Sequence, residues 1–190
     1  RRWPTVDGVE MTWEACQTFS GSWGYHRDES SWRSVRQLVT TLIYCVSKGG
    51  NLLLNVGPTG RGEFDERALD RLEGIGGWMR RHGRAIYGCT QAPPEFAPPP
   101  DTRLTYHPEK GRLYVHLLNW PYKYLYLDGR AYVDRVEYAQ LLNDGSETPI
   151  GGDAWHARHV TVSPDTLTVK LPQQEPAGVE VPVIELYLKD

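Results

Sequence analysis

Three carboxylates, Glu14, Asp28 and Glu29, fall inside one stretch, WEACQTFSGSWGYHRDESSW, residues 13–32. Around them stand Trp13, Trp23, Trp32, Tyr25, His26, Arg27 and Gln17. These residue types suit a sugar: indole and phenol faces stack on apolar sugar faces, while His26, Arg27, Gln17 and a carboxylate bind hydroxyls. Cleavage of a glycosidic bond needs two carboxyl groups, one an acid/base and the other a nucleophile or water activator. Each residue also has a structural reading. The tryptophans can fill core space, and Glu14 can be a carboxylate buried among hydrogen bonds. Asp28 and Glu29, just before a helix, can complement its dipole.

The elements that must hold this stretch can be read from spacing. Val35, Leu38, Val39, Leu42, Ile43 and Val46 recur at three and four residues and predict a helix, with Ser30 or Ser31 as its cap and Gly49-Gly50 at its end. NLLLNVGP, Asn51 to Pro58, is an apolar run between glycine and proline, the pattern of a strand buried on both faces in a parallel sheet. Asn55 at its end can touch ligand or satisfy neighbouring backbone. From Asp65 a second apolar stripe, Ala68, Leu69, Leu72, Ile75, Trp78 and Met79, predicts a helix ending near Gly83. Helix, buried strand, loop and helix make an α/β arrangement. In a parallel barrel the loops after the strands' carboxyl ends build the site, which puts Trp13 and Glu14 at or just past a strand end and Gln17 to Glu29 in the loop.

PPEFAPPP, residues 93–100, is a stiff extended connection and marks a domain boundary. Beyond it RLTYHP, RLYVHLLNW, KYLYLDG, AYVDRVEYAQLL, HVTVS, TLTVKLP and VPVIELYLKD alternate as short strands between turns, predicting an antiparallel β-sandwich. His107, His116, His156 and His159 fall there and read as surface or strand histidines. The fold expected is therefore α/β followed by all-β, with residues 1–92 as the last β/α units of a TIM-like barrel and residues 93–190 as the sandwich. The first part carries net +2 and the second net −5. A closed barrel needs about eight β/α units and about 250 residues. Two or three units alone would leave sheet edges open, so the expected partner is the upstream portion of the same barrel, in this chain's parent or in a complementary chain.

A net charge of −3 and a pI near 6.1 give no basic face for nucleic acid or for an anionic membrane surface. The longest apolar runs fall far short of the roughly 20 residues of a membrane helix. The compartment is left open between cytoplasmic and secreted. Cys16, Cys45 and Cys89 make no even disulfide set and no metal-ligand spacing, and Cys45 sits beside the apolar stripe as a buried thiol. GPTGRG lacks the Lys-Ser/Thr ending of a phosphate loop. No metal or organic cofactor is implied.

WE at Trp13-Glu14, SWGY at Ser22 to Tyr25, VSKGGNLLLNVGPTGRG at Val46 to Gly62 and HGRAIYG at His82 to Gly88 together resemble the C-terminal part of the catalytic domain of α-L-fucosidases of glycoside hydrolase family twenty-nine. The resemblance covers about residues 9–90. It implies retaining hydrolysis of α-L-fucosides through a covalent glycosyl-enzyme on a (β/α) barrel, with an aspartate nucleophile upstream of Trp13. Asp7 has the wrong setting for that role. Glu29 matches the acid/base position of some bacterial members, with Glu14 as the alternative. Trp23, Tyr25 and His26 would shape the fucose or leaving-group side. Gln17 falls where some relatives place a sugar-contacting arginine. Partial burial against Trp23 or Tyr25 is expected to raise the Glu29 pKa so that it can donate a proton.

The function expected is thus a portion of a retaining α-L-fucosidase acting on fucosylated glycans or fucosides, inactive without the part carrying the nucleophile. The competing class is a noncatalytic carbohydrate-binding or structural fragment. Turnover of a chromogenic fucoside by the chain, alone and mixed with the upstream portion, separates them.

Overall fold

The structure, a computed structural model, describes residues 4–189, without the side chains of Ala154, Trp155 and Ala157. β1 (Thr5–Val6) and β2 (Val9–Glu10) form a short hairpin turning on Asp7 and Gly8, both at positive φ. β3 (Glu14–Thr18) runs through a long loop, residues 19–34, into α1 (Val35–Val46), and the chain returns as β4 (Asn51–Asn55). β3 and β4 are parallel, Glu14 opposite Asn51 and Thr18 opposite Asn55. A parallel pair requires a crossover, and α1 supplies it.

α1 forms where its stripe predicts, with Leu38, Val39, Ile43 and Val46 buried. Its cap is corrected: Ser34, not Ser30 or Ser31, accepts from the Gln37 backbone N–H, and the Gln37 side chain accepts from the Ser34 N–H. This reciprocal box satisfies two orphan donors of the first turn, and such a cap contributes about 1 kcal/mol. After α1 the chain turns sharply at Gly49 (φ 71°) and Gly50. A Cβ on Gly50 would lie 2.2 Å from the Trp13 ring, so glycine is what lets that indole lie across the turn, where its Nε1 donates to the Lys48 carbonyl at 3.2 Å. Cys45 is buried, and burial raises its thiol pKa.

β4 is less enclosed than its apolar run suggests. Leu52 and Leu54 face the helix layer with Ala15 and Gln17, while Leu53 on the other face, beside Cys16, is 50% exposed. α2 (Glu66–His82) follows where the second stripe predicts, capped by Asp65, and a single 3-10 turn (Gly83–Ala85) ends it. Gly74 is forced by packing, since a Cβ there would meet Val35 at 2.5 Å.

The second half is built on strands: β5 (Thr90–Gln91), β6 (Thr102–His107), β7 (Arg112–Leu117), β8 (Tyr124–Asp128), then α3 (Arg130–Arg135), β9 (Val136–Leu141), α4 (Ala154–His159), β10 (Thr166–Lys170) and β11 (Val183–Leu188). Five of them make an antiparallel sheet in the order β5-β6-β7-β11-β9, and β8 pairs β10 in a second. Alternation decides the layers. Leu113, Val115, Ile184 and Leu186 point to one core shared with Leu125, Leu127 and Val169 of the smaller sheet. Tyr114 and Val183 point the other way and pack against Val39, Ile43 and Trp78 of the helices. The Trp78 indole donates to the Val181 carbonyl at 3.0 Å, and the Arg36 guanidinium donates to the carbonyls of Glu180 and Leu118, so helices and sheet are hydrogen-bonded as well as packed.

Two strand expectations are corrected. AYVDRVEYAQLL begins as α3, because Asp134-Arg135 breaks the alternation, Arg130 pairs with Asp134 one turn on, and Tyr132 is fully buried with its hydroxyl donating to Ala97 O. HVTVS is no strand: His159 ends α4, which Asp153 caps by accepting from the His156 N–H. Of the four histidines of this half, His107 and His116 lie on strands and His159 at the surface, as expected, whereas His156 is buried on α4. No described helix is long and apolar enough to cross a membrane.

Candidate active site

The loop 19–34 leaves β3 at its carboxyl end, beside the carboxyl end of β4. Backbone contact with β4 fixes its height. The Asn55 side-chain amide donates to the Trp23 carbonyl at 2.6 Å, and Gly57 approaches so closely that a Cβ would sit 2.4 Å from the Tyr25 nitrogen. At the base, Arg33 N donates to Phe19 O at 2.9 Å, and the Phe19 ring is 3% exposed. The loop is thus pinned at its root and at its middle.

Within this frame Tyr25, His26 and Glu29 line one small pocket with Phe19, Trp32 and Asn55. Glu29 is half-buried there and accepts three hydrogen bonds: from Ser22 Oγ to Oε2 at 2.7 Å, and from Ser31 N and Oγ to Oε1 at 2.8 and 2.6 Å. All three stabilise the ionised form. The Ser31 hydroxyl first, then that of Ser22, hold the carboxyl down at about 2. The expected rise is therefore corrected: donors prevail over burial because the aromatic rings leave Glu29 only partly covered. Asp28 faces solvent in an exposed pair with Arg27 at 3.1 Å, an arrangement of little energetic weight.

The other candidates are not brought to this pocket. Trp23 is 59% exposed and offers its backbone carbonyl to Asn55 rather than its ring to the pocket. Glu14 is exposed at the start of β3, opposite Asn51, about 13 Å along the strand from the carboxyl end at Thr18. Gln17 lies on the face towards α1, lining a groove with Ala15, Thr41 and Tyr44. The reading that put Trp13 and Glu14 at the strand's far end is corrected by the strand's true bounds. Trp13 serves the turn at Gly50. Asn55 satisfies backbone, one of the two roles its position suggested. Among the described residues no group of three His, Cys, Asp or Glu gathers as a metal ion would require.

Residues that sequence reasoning passed over do much of the positioning. Ser22 and Ser31 hold the Glu29 carboxylate. From α2, Arg67 reaches back across the loop. Its Nη1 donates to Glu29 O at 3.0 Å, its Nη2 to Arg27 O at 3.1 Å, and its Nε and Nη2 to the two Asp65 oxygens at 2.8 and 2.9 Å. Its guanidinium lies 4.9 Å from the Trp32 ring centre, and that of Arg71 lies 5.5 Å away while donating to Arg33 O at 3.0 Å. Trp32, which lines the pocket, is thus held in place by two cations. The available signal was DxR at the start of a predicted helix, but it names no target.

Comparison with known proteins follows the same outline. The family profile described as Alpha-L-fucosidase matches residues 2–84. The chain is 30% identical over 165 residues to the human protein named plasma alpha-L-fucosidase, covering 85% of this chain and 34% of that one. It superposes on alpha-L-fucosidase isoenzyme 1 from Paenibacillus thiaminolyticus with a TM-score of 0.85 at 38% identity, over 97% of this chain and 41% of that one. A second solved structure, a GH29 alpha-L-fucosidase of Bacteroides thetaiotaomicron trapped as a covalent intermediate with 2-fluoro-fucosyl fluoride, gives a TM-score of 0.78 at 27% identity over 96% of this chain and 39% of that one. By sequence and by fold, the chain is similar over most of its length to α-L-fucosidases, a member of glycoside hydrolase family twenty-nine among them, and it spans about a third to two fifths of the length of these proteins.

Proposed function

We propose that this chain is part of a retaining α-L-fucosidase that removes terminal α-L-fucose from glycans. In this reading residues 1–92 are the last β/α units of a TIM-like barrel, residues 93–190 are its β-sandwich, and the barrel is completed by upstream polypeptide that carries the nucleophile. The observation that supports it most is the grouping of Glu29, Tyr25 and His26 at the carboxyl end of a parallel strand pair in a chain that superposes on fucosidases.

The chemistry runs in two steps. An aspartate outside this chain attacks the anomeric carbon while the Glu29 carboxyl gives its proton to the leaving glycosidic oxygen. Glu29, now a carboxylate, then takes a proton from the water that releases fucose with retained configuration. The Ser22 and Ser31 donors suit the second step, where a carboxylate must wait. The first step requires a protonated carboxyl, and bound substrate above Tyr25 and His26 supplies burial that opposes those donors. Tyr25 and His26 shape the leaving-group side, with Trp23 at the rim. Gln17, on the helix side of the strand pair, and Glu14, at its amino end, stand away from this pocket. The covalent intermediate named for the Bacteroides relative accords with such a route.

A second reading, a noncatalytic carbohydrate-binding or structural piece, draws on the three donors that keep Glu29 ionised. Assay with a chromogenic α-L-fucoside decides: the chain alone gives no turnover, and the chain with its upstream portion does. Turnover by the isolated chain contradicts the missing nucleophile, and inactivity of the complete protein favours the noncatalytic piece.

A further inference from the structure

The Arg67 guanidinium has more partners than helix capping needs. Asp65 already caps α2 by accepting from the Arg67 N–H at 2.8 Å. The same carboxylate also receives Nε and Nη2 as a two-pronged fork, which fixes the plane of the guanidinium. That plane delivers its remaining donors to two carbonyls of the site loop, at Glu29 and Arg27, while its face lies over Trp32. Asp65 and Arg67 are only partly exposed, at 16% and 34% of their side chains. One of the clamped carbonyls is that of Glu29 itself, so a single Cα separates the clamp from the side chain that carries the carboxyl.

We propose that Arg67, oriented by Asp65, is a positioning residue for Glu29: it sets where the Glu29 carboxyl stands relative to the leaving oxygen by clamping the carbonyls of Arg27 and Glu29 to the first turn of α2. The inference rests on the reading of Glu29 as the acid/base. Lysine cannot replace it, because an ammonium is a point charge that cannot keep a fork on Asp65 and reach two separate carbonyls in one plane. Displacement of a general acid by a fraction of an ångström matters most where the leaving oxygen needs its proton, and least where the leaving group departs unaided.

The test measures kcat/KM in the complete protein across α-L-fucosides whose leaving groups range from 2,4-dinitrophenol to methanol, for wild type, Arg67→Lys, Arg67→Ala, Asp65→Asn and Glu29→Gln. Asp65→Asn keeps a competent helix cap while weakening the fork, which guards against a variant that fails to fold. For both Arg67 variants the expected loss on the methyl fucoside exceeds that on the dinitrophenyl fucoside by about tenfold or more, since general acid catalysis contributes about 100-fold to 10,000-fold in all. Asp65→Asn follows in the same direction with a smaller loss, and Glu29→Gln shows the steepest dependence. Equal losses on both substrates for the Arg67 variants, or Arg67→Lys behaving as wild type, overturn the proposal while leaving Glu29 in place. If Glu29→Gln itself shows no leaving-group dependence, the reading of Glu29 falls and the proposal with it.

Discussion

The Ser31 hydroxyl stands 2.6 Å from Glu29 Oε1 and, in the same position, accepts from the Gly21 N–H at 3.0 Å. A Cβ on Gly21 would lie 2.6 Å from that hydroxyl, so the glycine is what admits the serine to the carboxylate. Ser31→Ala removes the largest of the influences that depress the Glu29 pKa and leaves the Ser31 N–H donor in place. Carboxyl titration followed by NMR is expected to show Glu29 moving up from about 2 towards the ordinary carboxylate range. The sign for stability follows. A depressed carboxyl pKa stabilises the fold above the unfolded value and loses that contribution as pH falls towards the folded one, and in Ser31→Ala this dependence shrinks. An unmoved titration contradicts the hydrogen-bond account.

His116 is fully buried on β7, its Nε2 2.9 Å from Thr105 Oγ1, and burial pushes its pKa down to about 3. Thr105 donates its own proton to Ala85 O, so it accepts from His116, which fixes the neutral Nε2–H tautomer. His82, stacked on Trp78 at 4.9 Å, is likewise shifted down by burial. These groups stay neutral in the fold while in the unfolded chain they take up protons below about pH 6.5, so the fold loses stability as pH falls below that value. His116 alone accounts for about 2 kcal/mol between pH 7 and pH 5. Chemical denaturation at the two pH values measures it, and His116→Gln should flatten the difference.

Gly57→Ala should disturb the site without touching the carboxylate. Its Cβ would come 2.4 Å from the Tyr25 nitrogen and 2.5 Å from the Gly24 carbonyl carbon, both main chain, so the loop must move. A cost of about 1–3 kcal/mol is expected, as for other forced insertions. Fucoside turnover in the complete protein should fall together with the melting temperature. Unchanged activity would mean that the position of residues 24 and 25 does not matter to the site.

Trp78 carries much of the contact between helices and sheet, being 4% exposed and hydrogen-bonded to Val181 O. Trp78→Phe keeps most of the packing and loses the bond, a cost of about 1 kcal/mol, whereas Trp78→Ala should cost about 3–5 kcal/mol. Equilibrium unfolding of the two variants separates these contributions. Equal effects would mean that packing, not the bond, is immaterial at this joint.

The helices were legible because each buries one stripe against one layer, and the spacing of Leu38, Val39, Ile43 and Val46 repeats that geometry directly. The cap was not: a local reading settles on Ser30 or Ser31 and passes over Ser34, whose signal is Gln37 three residues on. Tyr132 and Val133 look like strand residues in isolation; the Arg130–Asp134 pair and the distant Ala97 carbonyl that meets the Tyr132 hydroxyl accompany the helix instead. Residue types pointed to the stretch as one that suits a sugar but left Glu14, Asp28 and Glu29 open; the family resemblance singled out Glu29 with Tyr25 and His26. That Ser22 and Ser31 grip the carboxylate, and that Arg67 clamps its peptide from 38 residues away, are tertiary facts with no local pattern.

The account turns on Glu29 as the group that gives and takes the proton. The direct measurement is hydrolysis of an α-L-fucoside by the complete protein carrying Glu29→Gln, with and without azide. Activity on a substrate with a poor leaving group should fall by about 100-fold or more, and azide should restore turnover of an activated fucoside, giving the fucosyl azide of retained configuration. Wild-type rates in the variant, or a lost rate that azide leaves untouched, contradict it.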